Sequence, residues 1–442
     1  MSNFKVIVIG GGPTGLIAAH ALSQAGIDFV VLEAQQVIAK DVGASLVMMT
    51  YSIRVLAQLG LLDKLRVYGH EAIHQVEYTE DKFVSESSPG HFMLEDYGQM
   101  GMMFHRAELV QLFYDELSAE DQARVYLGKR LASIEDTDDG VMVTCTDGST
   151  YEGSIVLGAD GVHSKVRAIL REKMLKDNPN SDADEDQPYP SSYKTLWCSF
   201  PRRYEVAPGE HLVTHGNGTS LQFLNSSKRS WVFAYEKLET PTRERVKYTE
   251  ADMEAFAAKH GEMTIGHRLK LKDVVKERTA GGLTNLEEGI VRNWSHGRIV
   301  LAGDSCHKFT PNAGAGLNNG IQDIVALANE LHKLRQLRGP PPSKVELKAA
   351  FKRYQDTRAK MVMEDYDLSR HTTRLCAWPS TAYWLVDQYL LPYLPLRDYL
   401  IRKYLVAPKF SQALCFDFIE GEEPFEGKVP WANPIKRKVS SQ

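Results

Sequence analysis

The sequence predicts an α/β protein. A Rossmann-like unit on a parallel sheet is joined to an α+β unit on a mixed or antiparallel sheet, with helices at the C-terminal end. Three observations predict it. A glycine-rich turn, Gly10-Gly11-Gly12-Pro13-Thr14-Gly15, links an apolar run to a helical pattern. Two later apolar runs, ending at Asp160 and Asp304, each deliver a carboxylate into a glycine turn. Between them, residues 193–288 alternate as strands do (SLQFL, SWVFAY) around one helix, Glu250–Lys259.

Taken in order, Phe4–Ile9 is uninterruptedly apolar, as a buried parallel strand is. Leu16–Gln24 is a helix, with Gly26 placed to stop it. Asp28–Glu33 is the second buried strand, and Tyr51–Leu59 has helical spacing. Residues 71–101 are polar and turn-rich, an excursion from the first unit. Helical pattern returns at Arg106–Leu117. Asp139-Gly140 and Asp147-Gly148 punctuate VMVTCT and STYEGSIVLG, which predicts a small antiparallel meander. The acidic stretch 176–192 reads as a solvated loop. Gly297–Asp304 is another buried strand, and a helix follows from Gly316 to Leu337. Gly339-Pro-Pro-Pro-Ser343 breaks it. The next helix, from Val345, sets Leu347, Ala350, Phe351, Tyr354 and Met361 on one face. Residues 373–408 mix Trp378, Trp384, Tyr389, Tyr393 and Tyr399 with Asp387, Arg397, Asp398 and Arg402. They read as two or three helices packed on the core; the alternative is a membrane-surface or lipophilic-substrate element.

Composition narrows the class. Hydrophobic residues are 43% and charged residues 25% of 442, ordinary globular values that exclude a wholly disordered or collagen-like chain. The net charge of −5 lacks the basic excess of a nucleic-acid binder. The five cysteines are scattered and never spaced CxxC, which argues against a disulfide framework or zinc site and for a reducing, cytoplasmic setting. The N-terminal apolar run is too short for a signal peptide, and no stretch approaches the roughly 20 apolar residues of a membrane span.

The glycine turn carries chemistry. Gly10 permits the tight turn, Gly12 a close backbone approach to a pyrophosphate, and Gly15 the packing of helix on strand. The helix start offers free N–H groups to phosphates. Glu33 follows Gly10 by 23 residues, where a carboxylate bonds the adenosine ribose hydroxyls. A dinucleotide site follows. In the second motif, Gly158–Arg167, Ser164 is placed to cap a helix. In the third, Gly303-Asp304 precedes Pro311-Asn312-Ala313-Gly314-Ala315-Gly316-Leu317. Its carboxylate suits a polyol hydroxyl, and its helix start suits negative charge developing on a ring. His307 has no second ligand at metal spacing and reads as a packing or capping residue.

In this order and spacing the three motifs resemble the FAD-dependent aromatic-hydroxylase-like monooxygenases, the para-hydroxybenzoate hydroxylase superfamily, over about residues 4–170 and 285–370. VGAS at 42–45, YKTLW from Tyr193, HKFTPNAGAG from His307 and the final aromatic helices look like the fungal meroterpenoid and indole-diterpenoid monooxygenases, the paxilline-type epoxidases. Where relatives often carry GQGGN, this chain has Gly314-Ala315-Gly316-Leu317-Asn318. The resemblance implies FAD held by Gly10, Gly12, Gly15, Glu33, Val47, Arg106, Asp160, Asp304, Gly314, Gly316 and Leu317, and NADPH or NADH as reductant. It implies one discontinuous FAD-binding domain (1–70, 102–172 and 291–372), a substrate domain (71–101 and 173–290) and a C-terminal helical segment (373–442).

The implied reaction is epoxidation or hydroxylation of a lipophilic secondary metabolite by O2, through a flavin C4a-hydroperoxide. Some relatives carry an Arg and a Tyr on the substrate sheet that orient the oxygen donor. Lys194 and Tyr235 are the candidates here; the plainer reading makes them a surface lysine and a core tyrosine. Two rivals are a flavin reductase of prenyl chains and a flavin-free prenyl-binding escort. A halogenase is disfavoured, because no WxWxIP run occurs. Peripheral contact with an internal membrane through residues 373–408 is the remaining partner expectation.

Overall fold

The computed structural model describes residues 4–79, 82–137, 140–336, 341–391, 399 and 401–438. Asp139, Leu337, Gly339, Tyr393, Arg397 and Asp398 lie outside them.

The apolar runs stack into one six-stranded sheet in the order Ser295–His296, Ile299–Leu301, Ile155–Gly158, Lys5–Ile9, Asp28–Leu32, Val125–Tyr126. The four central strands run parallel. Val6, Val8, Val31, Val156 and Val300 are fully buried, because helices cover both faces. The helices Pro13–Gln24 and Ala315–Gln336 pack on one another beside the sheet. The run STYEGSIVLG divides. Thr150–Gly153 joins the antiparallel meander with Leu131–Asp136 and Val141–Cys145, whereas Ile155–Gly158 enters the parallel sheet. Alternation cannot separate the two halves, since a tight step at Ser154 changes sheets.

A second sheet has seven strands in the order Ala280–Glu287, Ser191–Pro201, Arg229–Thr242, Thr219–Asn225, Glu210–His215, His74–Thr79, Lys82–Ser87. Only the pair Glu210–His215 with His74–Thr79 is parallel. The turn-rich excursion therefore supplies two strands to this sheet. Side-chain parity gives the sheet two faces. Leu196, Cys198, Phe200, Phe223 and Val232 form an apolar core with Met253 and Phe256 of the helix Glu250–His260 and with Leu271 and Val274 of the short helix Leu271–Val275. Thr249 and Asp252 close a capping box at the start of the longer helix. The opposite face looks toward the parallel-sheet unit.

Ser343 and Glu346 cap a helix that runs unbroken from Lys344 to Ala377. It passes through the boundary expected at 372, and the helix Lys165–Asp177 likewise passes through the one expected at 172. The long helix stops at Trp378, which is left-handed at φ 39°. Its last carbonyls, of Cys376 and Ala377, accept from Gly216 N–H (3.0 Å) and Gly218 N–H (2.7 Å). Beside this junction Asp387 accepts from His215 Nδ1 at 2.9 Å and from the Trp378 indole at 2.8 Å. The tail then returns to the first unit. Buried Arg54 donates to Glu423 (2.6 and 2.8 Å) and to the Asn433 carbonyl (2.7 Å), under the ring of Trp431.

One buried cluster ties these pieces together. Asp323 accepts from His307 Nε2 (2.6 Å), Arg358 Nε (2.9 Å) and Gly303 N–H (2.9 Å), with all three side chains wholly buried. Burial alone would raise its carboxyl pKa, but these partners outweigh burial and hold it at about 2. A depressed pKa stabilises the fold above the unfolded value near about pH 4. The contribution is lost as pH falls from there through about 2. Asp323→Asn is expected to cost about 3–5 kcal/mol in chemical denaturation, because it leaves Arg358 buried without its counter-charge. The variant should also show a shallower dependence of stability on pH in that acid window, the remainder coming from other depressed carboxylates such as Glu236.

Candidate functional site

The carboxyl ends of the central strands open onto one mouth, as α/β sheets arrange it. Gly10 turns the first strand at φ +108°, and a Cβ there would lie 2.5 Å from the Ala159 carbonyl. A Cβ on Gly15 would lie 1.9 Å from the Gly10 carbonyl, so helix and strand meet only with glycine present. Gly12 is different: nothing lies within 4 Å of its Cβ position. It caps the helix Pro13–Gln24 with no side-chain hydrogen bond, so the helix N–H groups face open space.

Glu33 divides the mouth into two lobes. Its carboxylate accepts from Gly11 N–H at 2.6 Å and Gln35 N–H at 2.7 Å. One lobe, about 250 Å³, is lined by Gly11, Gly12, Glu33, Lys40, Val42 and Arg106. The other, about 440 Å³, is lined by Gly10, Glu33, Arg130, Asp160, His163 and Arg245 among others. Among the described residues Arg106, Arg130 and Arg245 have no carboxylate partner. An open glycine, a free helix start and an unpaired guanidinium fit a pyrophosphate, and a lobe on each side fits the halves of a dinucleotide.

Asp160 is largely committed to its own helix. It accepts from Ser164 Oγ (2.5 Å), Lys165 N–H (2.7 Å) and Val166 N–H (3.1 Å). Ser164 accepts in turn from Arg167 N–H at 2.9 Å, so the expected serine cap is a shared one. Asp304 is partly exposed and takes Lys308 Nζ at 2.5 Å. A Cβ on Gly316 would lie 3.7 Å from Asp304 Oδ1. The loop ahead of Ala315–Gln336 turns at Gly314, φ +62°. Asn318 sews it to the strand Ser45–Met48, donating to Val47 O (2.9 Å) and Gly314 O (2.7 Å) and accepting from Met49 N–H (2.9 Å). Leu317 is half-buried against the core. Val47 is thus engaged through its backbone, and Gly303 and Gly320 both pack on Thr14 of the first motif. The residues of all three motifs meet at one place.

His307 sits behind that place. Its ring nitrogen, Cys306 Sγ and an Asp323 oxygen lie within 4.8 Å of one another, a set that could hold a metal ion. Arg358 already neutralises the carboxylate, and His307 is packed and hydrogen-bonded to it.

The facing side of the seven-stranded sheet meets the parallel-sheet unit beside these lobes. The Trp197 indole donates to Val42 O at 3.0 Å, and its ring lies where any side chain on Gly282 would go. Tyr235 is wholly buried on this face, its phenol pushed well above the usual range by burial. It donates to Gln222 Oε1 at 2.8 Å, and Gln222 Nε2 donates to the Asn312 carbonyl at 3.1 Å. Lys194 is the exception among the expected residues. It shares parity with Leu196 and Cys198, faces Phe256 on the far side, and pairs with Glu236 at 3.1 Å. A strand residue of that parity cannot reach the mouth. Gln222 and Asn312 were not singled out from sequence. Gln222 had a signal, since it alternates against Leu221 and Phe223 in SLQFL.

A family model described as an FAD binding domain matches residues 3–362. The FAD-dependent monooxygenase cdmI of Talaromyces verruculosus is 34% identical over 88% of this chain and 83% of its own length. The FAD-dependent monooxygenase esdpE of Penicillium shearii is 32% identical over 96% of this chain and 91% of its own. Among solved structures, Klebsiella pneumoniae HpxO with FAD and uric acid superposes at TM-score 0.70, with 22% identity over 90% of this chain and 95% of that one. A salicylate hydroxylase substrate complex superposes at 0.68, with 17% identity over 92% and 97%.

Lys194→Met should leave turnover unchanged and cost less than about 1 kcal/mol of stability, as partly exposed pairs do. Steady-state kinetics and a denaturation curve check both; a large fall in turnover would place Lys194 at the mouth after all.

Proposed function

This chain belongs to the FAD-binding-domain family and is an FAD-dependent monooxygenase; on that premise we propose that it takes electrons from NAD(P)H and inserts one oxygen atom of O2 into a lipophilic secondary metabolite, by epoxidation or hydroxylation. The observation that carries the reading is the two-lobed mouth on either side of Glu33, with the Trp197 face of the second sheet beside it. Bound FAD supplies the two-electron relay and the activation of O2. The protein positions and shields.

Glu33 takes the adenosine ribose hydroxyls, Gly12 and the helix start at Pro13 take the pyrophosphate, and Arg106 adds a counter-charge. Asp304 suits the ribityl hydroxyls, and the start of Ala315–Gln336 favours negative charge on the reduced ring. Asp160, Val47, Gly314, Gly316 and Leu317 complete the wall. Trp197, Phe233 and Leu224 share the sheet face turned toward the parallel-sheet unit, where they would exclude water from bound FAD. Arg130 and Arg245, in the larger lobe beside Glu33, add counter-charge on that half of the dinucleotide. The reductase and escort rivals lose their support, since the matched full-length relatives are monooxygenases.

Among the described residues no helix is long and apolar enough to cross a membrane. Trp384, Leu385, Val386, Tyr389 and Leu390 are nevertheless exposed together, while Asp387, the acid among them, is buried against His215. An uncharged aromatic face of this kind supports peripheral contact with an internal membrane.

NADPH oxidation screened over prenylated substrates, with products identified by mass spectrometry, tests the main reading. A gain of one oxygen atom in the product is expected; NADPH consumed with no oxygenated product from any substrate sinks it. Tyr235→Phe should keep FAD but yield less product per NADPH, the remainder appearing as peroxide. Wild-type protein should co-sediment with phospholipid vesicles and Trp384→Glu should not; equal recovery of both removes the membrane contact.

A further inference from the structure

The Asp323 cluster does not end at Arg358. The far nitrogen of that guanidinium, Nη2, donates to Asn319 Oδ1 at 2.6 Å. Asn319 Nδ2 then donates to Asp365 Oδ2 at 2.8 Å and to the Ala315 carbonyl at 3.0 Å. Asp365 is ion-paired with Lys409, which comes from the short tail helix Ala407–Ser411. Asp323, Arg358, Asn319 and Asp365 are all buried, at 6% exposure or less. A guanidinium only donates and an ionised carboxylate only accepts, so the Asn319 amide has a single orientation. Two buried ion pairs are thus bridged by one amide. The series begins at the Gly303 N–H, next to Asp304, and ends in the returning tail.

Its inner end holds residues of the mouth. Gly303 carries Asp304, and Ala315 opens the helix whose start lies beside Asp304, since a Cβ on Gly316 would be 3.7 Å from Asp304 Oδ1. Asn319 therefore grips the first turn of that helix from behind, and its orientation depends on an ionised Asp365. A carboxylate this deeply buried needs a counter-charge. Among the described residues the cation paired with it is Lys409. The tail helix is seated by Phe410 against Tyr51, ring centroids 4.9 Å apart, and by the Tyr97 hydroxyl, which donates to the Ala407 carbonyl at 2.5 Å.

We propose that Lys409 is a positioning residue for the cofactor, and that docking of the tail and binding of FAD are energetically coupled through Asp365, Asn319 and Arg358. The inference rests on the reading that FAD occupies the mouth. With the tail docked, Asp365 is ionised, Asn319 is oriented, and the helix start and the Asp304 turn are held in the arrangement that FAD meets. Without Lys409 the buried carboxylate takes a proton from water and can donate as well as accept, so the Asn319 amide loses its single orientation. Such coupling is reciprocal: if the docked tail tightens FAD, then FAD tightens the tail by the same factor.

The test is amide hydrogen exchange of residues 407–411 with and without FAD, together with the FAD dissociation constant, both on the full-length protein. In wild type, FAD should slow exchange in the tail helix. Lys409→Met should weaken FAD binding about tenfold, the lower end of what losing a partner one layer behind a bound group costs. In that variant FAD should no longer slow the tail. Asp365→Asn gives Asn319 a neutral acceptor, so in the Lys409→Met background it should recover most of the lost affinity. Asn319→Ala keeps the Lys409–Asp365 pair but should weaken FAD and uncouple the tail in the same way. Wild-type tail exchange that ignores bound FAD overturns the inference, and that measurement needs no variant to fold. So does a Lys409→Met protein that melts earlier yet binds FAD as wild type does, which would mark a purely structural ion pair. A wild-type protein that takes up no FAD overturns the functional reading itself, and this inference with it.

Discussion

The Asp323 carboxylate is the point on which the rest is hung. One oxygen receives the Gly303 N–H and the His307 ring, the other the Arg358 guanidinium. Three segments far apart in sequence are thereby fixed to one another: the turn carrying Asp304, the helix behind the ring loop, and the long helix that crosses to the other sheet. A buried charge is tolerated only when its partners are complete. The cluster therefore enforces a single arrangement of those three segments, and the mouth inherits its geometry from it.

From that anchor the loop ahead of the helix Ala315–Gln336 is reached from three directions. Asn318 ties it to the strand Ser45–Met48, Thr373 to the long helix and Gln222 to the facing sheet. The two sheets communicate through these few polar contacts, while the space between is walled by aromatic and aliphatic side chains. On the proposed function, binding and specificity are divided: the glycine turns and Glu33 would hold the cofactor, and the facing sheet would meet the substrate.

Much of this was legible in the sequence because the informative features are local. A strand, a glycine turn and a helix fit within the single stretch Lys5–Gln24, and steric necessity fixes glycine at Gly10 and Gly15. Glu33 follows from strand length alone. Longer-range facts were not legible. Asp323 and Arg358 lie 35 residues apart, Tyr235 lies on a strand and Asn312 on a distant loop, and nothing in either neighbourhood names the other. Lys194 shows the intermediate case. Its parity with Leu196, Cys198 and Phe200 was visible in YKTLWCSF, but which parity faces the mouth depends on where the helix Glu250–His260 packs. The meander erred for a related reason, since STYEGSIVLG keeps a strand-like pattern across a change of sheet.

The returning tail sets a schedule for the molecule's birth. Arg54 leaves the ribosome early, yet the carboxylate that neutralises it, Glu423, follows 369 residues later. Gln58 likewise waits for Phe416 and Ile419, and Gln322 for Leu414. Until those residues emerge, a guanidinium destined for full burial has no counter-ion and the first helices keep an open seam. The seam between the first helices is therefore closed by residues 414–433, and a chain lacking that stretch leaves the Arg54 charge unpaired and the seam open.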